Sequence, residues 1–212
     1  MTQPAIASDG RVIGARAQRT RRRLLDATAE LLDLRGAFGM RVVDITREVG
    51  TSPATFYQYF ADVEAAILVL ADEASDDAQF LADLLQDSWL DAGGEARALE
   101  FVRAFMDYWD RHRAVLRVRD LRAEEGDKRF WSARRDGYAA IIPGFTTMIE
   151  KGQAAGSVSS ELNAYAAASA LAAMMERLVT YRSEFGRRGV STEAMTATLA
   201  TVLFQTVTGF TS

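Results

Sequence analysis

The chain has 212 residues, 49% of them apolar, with no cysteine, one histidine and a formal net charge of −4. That apolar share can bury the core of one large or two small globular domains. The lack of cysteine excludes disulfides and thiolate metal sites and fits a reducing compartment, and the arginine-rich first twenty residues contain no apolar run of the kind a secretory leader needs.

Charge is unevenly spread. Residues 1–60 carry nine arginines against six acidic residues, a net +3, whereas residues 61–212 carry 16 basic and 23 acidic groups, a net −7. Arg11, Arg16, Arg19, Arg21, Arg22 and Arg23 face only Asp9. Such a footprint suits a polyanionic partner at this end alone, and equally suits a solvated basic tail.

From Thr20, the residues Leu24, Ala27, Thr28, Leu31 and Leu32 keep helical spacing until Gly36 offers a stop. Arginines at this N-terminus oppose the helix dipole, so they serve a partner better than they serve the helix. A second, shorter helix has Val42, Ile45 and Val49 on one stripe and Gly50 at its left-handed cap position. Ser52 and Pro53 then supply an N-cap and a first-position proline for a third.

In the stretch TSPATFYQYF, Thr51 to Phe60, Phe56 and Phe60 coincide at i, i+4 and read as core. Ala54, Thr55 and Gln58 project the other way, flanked by Tyr57 and Tyr59. Small uncharged side chains on a short helix suit close approach to base edges, and tyrosine hydroxyls can reach phosphates. Two short helices joined by a glycine turn match a helix-turn-helix, whose second member enters the DNA major groove. An ordinary three-helix subdomain meets the same spacing.

The remainder reads as helix throughout. A fourth helix capped by Asp62 runs to about Gln86, with Leu68, Ala71, Ala74, Ala78, Leu81 and Leu85 inward. Gly93 and Gly94 make a loop, a fifth helix covers about 95–110, a shorter segment about 114–124, and a seventh runs from Lys128 towards Gln153. Pro143 should kink or split that helix. The next starts at Ser159 or Ser160. Residues 162–175 and 194–212 contain no charged side chain, so helices there must be buried on more than one face. A subunit interface explains this better than a membrane span, because six threonines and a glutamine interrupt the last segment.

Phe101, Phe105, Trp109, Trp131, Tyr138, Phe145, Met148, Met174 and Met175 are large adaptable side chains of the kind that line small-molecule sites between helices, or that simply fill a core. Catalysis has little support. His112 lies between Arg111 and Arg113, and no metal-ligand spacing, nucleophile elbow or phosphate-binding glycine loop occurs. No catalytic residue, metal or cofactor is expected.

The run from Thr20 to Leu68, TRRRLLDATAELLDLRG through VVDITREVGTSPATFYQYFADVEAAIL, resembles the N-terminal domain of the tetracycline-repressor (TetR) family of bacterial transcription regulators. The resemblance implies an all-α fold of about nine helices: a basic arm over 1–17, a helix-turn-helix domain over 18–61, and a ligand-binding and dimerisation domain over 62–212. Carried over, the DNA-facing residues are Thr51, Ser52, Ala54, Thr55, Tyr57, Gln58 and Tyr59, with Arg41 and Thr46 nearby. Arg19, Arg21 and Arg22 are added as phosphate contacts. The sequence departs from the family's pattern at Met40 and Arg41, where a Ser or Thr cap is usual, and at Val63, where a lysine commonly meets a phosphate.

The family's last two helices pack into a four-helix dimer interface, for which Ala167, Leu171, Leu178, Leu199, Val202 and Leu203 are the candidates. The expected protein is thus a cytoplasmic bacterial homodimer binding a palindromic operator, more often a repressor than an activator, and released by a small, largely apolar effector. A helical ligand carrier or small helical enzyme without specific DNA binding is the alternative.

Overall fold

The computed structural model describes residues 14–36 and 39–210. Among them the regular structure is entirely helical: α1 (Ala15–Arg35), α2 (Val42–Val49), α3 (Pro53–Tyr57), α4 (Val63–Asp77), α5 (Gln79–Leu84), α6 (Gly94–Glu124), α7 (Lys128–Tyr138), α8 (Ile142–Ala154), α9 (Ala164–Thr180), α10 (Arg182–Arg187) and α11 (Thr192–Thr208). These are eleven segments where about nine were expected. α4 and α5 break apart at Ala78, and α10 is a single short turn that has no periodic signature.

Two further boundaries differ from the sequence reading, and the choice left open at Pro143 falls to a split. The expected fifth and sixth helices are one 31-residue α6, since Arg111–His112–Arg113 contains nothing that breaks a helix. Pro143 splits the expected seventh helix and sits in the first turn of α8, where its missing N–H costs no hydrogen bond. α9 is capped by Asn163, whose Oδ1 accepts the Ala166 N–H at 2.9 Å. The expected start near Ser159 fails because Gln153 Nε2 donates to the carbonyls of Ser159 and Leu162, which holds that stretch as a turn.

The chain forms two compact units. Of the described residues, one takes those up to Ala74 together with His112–Arg134, and the other takes Ser75–Arg111 together with those from Arg135 on. In the first, Leu24, Leu25, Leu31, Leu32, Ile45, Phe56, Phe60 and Ile67 share one core with Val115, Val118, Phe130 and Ala133. It is larger than the 18–61 segment for a physical reason. α1 and two short helices bury too little apolar surface alone, and the inner faces of α4, the end of α6 and the start of α7 supply the rest.

In the second unit α8 packs on α9 and α11, around the edge-to-face trio Trp89, Phe101 and Phe145, whose ring centroids lie 5.2–6.1 Å apart. Trp89 is fully buried, yet no periodic stretch marks it in the sequence. The two loop glycines there differ sharply. A Cβ on Gly93 would meet only side-chain atoms, the Arg97 guanidinium at 2.8 Å and the Asp91 carboxylate at 3.3 Å, whereas one on Gly94 would lie 2.0 Å from the Trp89 carbonyl oxygen and 2.7 Å from the Phe204 ring. Gly94→Ala is therefore expected to cost about 2–3 kcal/mol in a denaturant titration, with Gly93→Ala well under half of that. Equal losses would show that the α6 start yields without cost.

Candidate nucleic-acid interface

α2 begins without a capping side chain at its N-cap Arg41. The job passes to Asp44 in the first turn, whose Oδ2 accepts the Arg41 backbone N–H at 3.1 Å. That bond, with the Arg41 guanidinium beside it, holds the Asp44 carboxyl below the usual carboxylate range. The cap missing at Met40–Arg41 is thus supplied from inside the helix. α2 ends at Gly50, with φ 70° and ψ 41° and its N–H bonded back to the last turn. Any side chain would be strained there.

Ser52 then caps α3, its Oγ accepting the Thr55 N–H at 3.2 Å, with Pro53 opening the helix. Phe56 and Phe60 turn inward, 0% and 3% exposed, with ring centroids 5.3 Å apart. The opposite side carries Ala54, Tyr57 and Gln58 into solvent, with Thr51, Thr55 and Tyr59 half-buried beside them. Ser52 and Arg41 are also exposed. Thr46 is not: it is 2% exposed and its hydroxyl turns back to the Val43 carbonyl. Its own carbonyl receives the Thr51 N–H at 2.9 Å, so Thr46 supports the turn instead of facing outward.

The N-terminal arginines divide in the same way. α1 starts at Ala15, five residues before the expected Thr20, so 15–17 are helical, while residues 1–13 of the expected arm lie outside the described residues. Arg22 is occupied by Asp26 and, through both carboxylate oxygens, by Glu73 at 2.7 and 2.9 Å. Arg21 lies over the Phe60 ring at 5.4 Å. Arg19 stays exposed.

The sequence reading placed Arg16 and Arg23 only in the general basic footprint and Thr20 only at a helix start. They line one groove of about 680 Å³ together with Thr51, Thr55 and Gln58, and Arg23 Nη2 donates to the Val49 carbonyl at the end of α2, 2.7 Å away. Their i, i+4, i+7 spacing was the available signal. A basic helix flank and the uncharged outer face of α3 thus border a single concave face.

The other site residues fall elsewhere. Phe101, Phe105, Trp109, Phe145, Met148 and Met175 are buried in the second unit, and Tyr138 and Met174 are half-buried. Trp131 does not join them. It belongs to the first unit and is 56% exposed, because α7 turns its neighbour Phe130 inward and places Trp131 on the outer side. Among the described residues, the indole N–H groups of Trp89 and Trp109 are buried with no acceptor within hydrogen-bond reach.

Of the dimer candidates, Leu171, Leu199 and Leu203 are already buried inside the chain, and Ala167, Leu178 and Val202 are half-buried. The exposed stripes one step away in helical phase are Tyr165, Ala166, Ala170 and Ala173 on α9 and Ala194, Ala197, Thr198 and Thr201 on α11.

The family described as bacterial regulatory proteins, tetR family, matches residues 24–65, and that described as tetracyclin repressor-like, C-terminal domain, matches residues 81–211. The chain belongs to the tetR family.

Solved structures share the fold of this TetR-family chain at low identity. A tetR-family regulatory protein from Rhodococcus RHA1 aligns with TM-score 0.67 at 17% identity over 89% of this chain and 97% of its own. Salmonella enterica GusR gives 0.64 at 21% identity over 90% and 94%. Bacillus subtilis FadR, a transcriptional regulator in complex with stearoyl-CoA, gives 0.64 at 16% over 90% and 99%. No curated protein sequence matches the chain. The protein is a TetR-family DNA-binding transcriptional regulator. Among its described residues no helix is long and apolar enough to cross a membrane.

Proposed function

We propose that this regulator is a homodimeric repressor, occluding a promoter at a palindromic operator and leaving it when a small, largely apolar effector binds in the second unit. One observation carries the DNA-reading part: α3 buries Phe56 and aims Ala54, Thr55, Tyr57 and Gln58 outward beside the Arg16, Thr20 and Arg23 flank. Thr51, Ser52 and Tyr59 border that face, and Arg41 and Arg19 lie exposed on the elements around it. Arg21 and Arg22 contribute less, being engaged within the unit.

The alanine and threonine stripes of α9 and α11 support a self-interface in which helices approach closely, and a twofold mate is what two major-groove half-sites demand. The effector reading rests on the aromatic and methionine interior of the second unit, with the unpartnered Trp109 N–H suited to a hydrogen-bond acceptor on an otherwise apolar molecule. FadR with stearoyl-CoA illustrates a long acyl group held by the same fold.

Selection of genomic DNA fragments by the purified protein, followed by anisotropy titration across a salt series, tests the proposal. An enriched palindrome bound at least ~10³-fold over random DNA is the expected result. Equal affinity for all fragments at every salt concentration would leave the alternative, a helical ligand-binding protein.

A further inference from the structure

Only the five residues 58–62 join the end of α3 to the start of α4. Phe60, in the middle of that link, is immobilised by burial, and Asp62 Oδ1 caps α4 by accepting the Ala65 N–H at 2.7 Å. With so few soft dihedrals between them, a displacement of the α4 start is passed to α3. What holds that start in place therefore sets the pose of the reading face.

The residue in that position is Glu64, in the first turn of α4. Its two carboxylate oxygens are divided between two guanidinium groups: Oε1 takes Arg122 Nη2 at 3.0 Å from the end of α6, and Oε2 takes Arg129 Nη2 at 3.0 Å from the start of α7. Each arginine is itself held. Arg122 pairs with Glu125 at 2.8 Å and Arg129 with Asp127 at 2.7 Å, both acids lying at the turn between the two helices. Hydrogen bonding from Arg129 draws the Asp127 carboxyl down to about 2, so this support stays ionised at any ordinary pH.

An isolated exposed pair would do little. Here one carboxylate, only a third exposed, closes a five-member network across three helices and sits at a helix N-terminus, where its charge is favoured.

Building on the DNA-reading proposal above, we infer that Glu64 is a positioning residue for DNA recognition: it ties the start of α4 to both arms of the α6–α7 turn and thereby fixes the α3 reading face. It touches no base. Its effect passes through Asp62, Phe60 and the short link.

The test is Glu64→Gln in the full chain, which keeps size and shape while removing the charge. Two measurements are made: hydrogen exchange of peptides covering 51–68 in the free protein at low and high salt, and affinity for the enriched DNA fragment against a random fragment. Expected are faster exchange over 51–68 at low salt, a difference that shrinks as salt screens the wild-type network, and a ~3- to 10-fold loss of specific affinity with random-DNA affinity retained.

Unchanged exchange overturns the inference. So does a rise in affinity for both DNAs with a steeper salt slope, which would mean that Glu64 merely neutralises Arg122 and Arg129. If wild type itself enriches no fragment, the DNA-reading proposal falls separately, and the salt-dependent exchange of 51–68 still decides whether Glu64 positions α3.

Discussion

Phe56→Ala is expected to destabilise the first unit by roughly 3–5 kcal/mol and to abolish DNA binding with it. Phe56 is fully buried and packs its ring against Phe60 and Tyr57. It is also the only buried residue of α3, so its truncation removes what holds that helix against Ile45 and Val49 of α2. A five-residue helix cannot persist on its own propensity. Denaturant unfolding with a probe in the first unit gives the loss directly, and a value below about 1 kcal/mol would show that α3 is anchored by something other than its phenylalanine.

Gln58→Ala, two residues along, should do the reverse. The side chain is exposed at the α3 C-cap and lines the groove shared with Arg16 and Thr20. Truncating it should leave the melting temperature within about a degree or two, since exposed substitutions of this kind stay within about 0.5 kcal/mol. Affinity for the enriched operator should fall by ~5- to 150-fold, the worth of one bidentate amide contact to an adenine, while affinity for random DNA stays the same. A uniform loss on both DNAs would reassign Gln58 to backbone contact, and no loss on either would remove it from the interface. The two substitutions together separate core from reading surface within one turn of helix.

Much of this site could be read from the chain itself. The i, i+4 pair Phe56 and Phe60, the Ser52–Pro53 start and the glycine at 50 are local features, and local geometry follows from dihedral preferences and helical phase alone. The same holds for the all-helical fold class. Features that depend on partners distant in sequence were not legible. Thr46 was carried over from the family pattern as lying near the DNA, and nothing in its own neighbourhood says that it is buried. Arg22 looked like a phosphate ligand because its carboxylate, Glu73, lies 51 residues away. Leu171, Leu199 and Leu203 carried the right composition for an interface, yet α8 packs on α9 and α11 within the chain and leaves the smaller residues one step round to face outward.

The sequence by itself thus determined the all-helical class, the phase of α3 and the family. Only the tertiary structure decided which arginines remain exposed beside that helix, that the end of α6 and the start of α7 complete the core of the first unit, and that Glu64 binds two guanidinium groups at once. The reason is physical. Helical phase is set over a few residues by backbone geometry, whereas burial and charge pairing are set by whatever else folds into contact, and an isolated stretch of sequence carries no record of that.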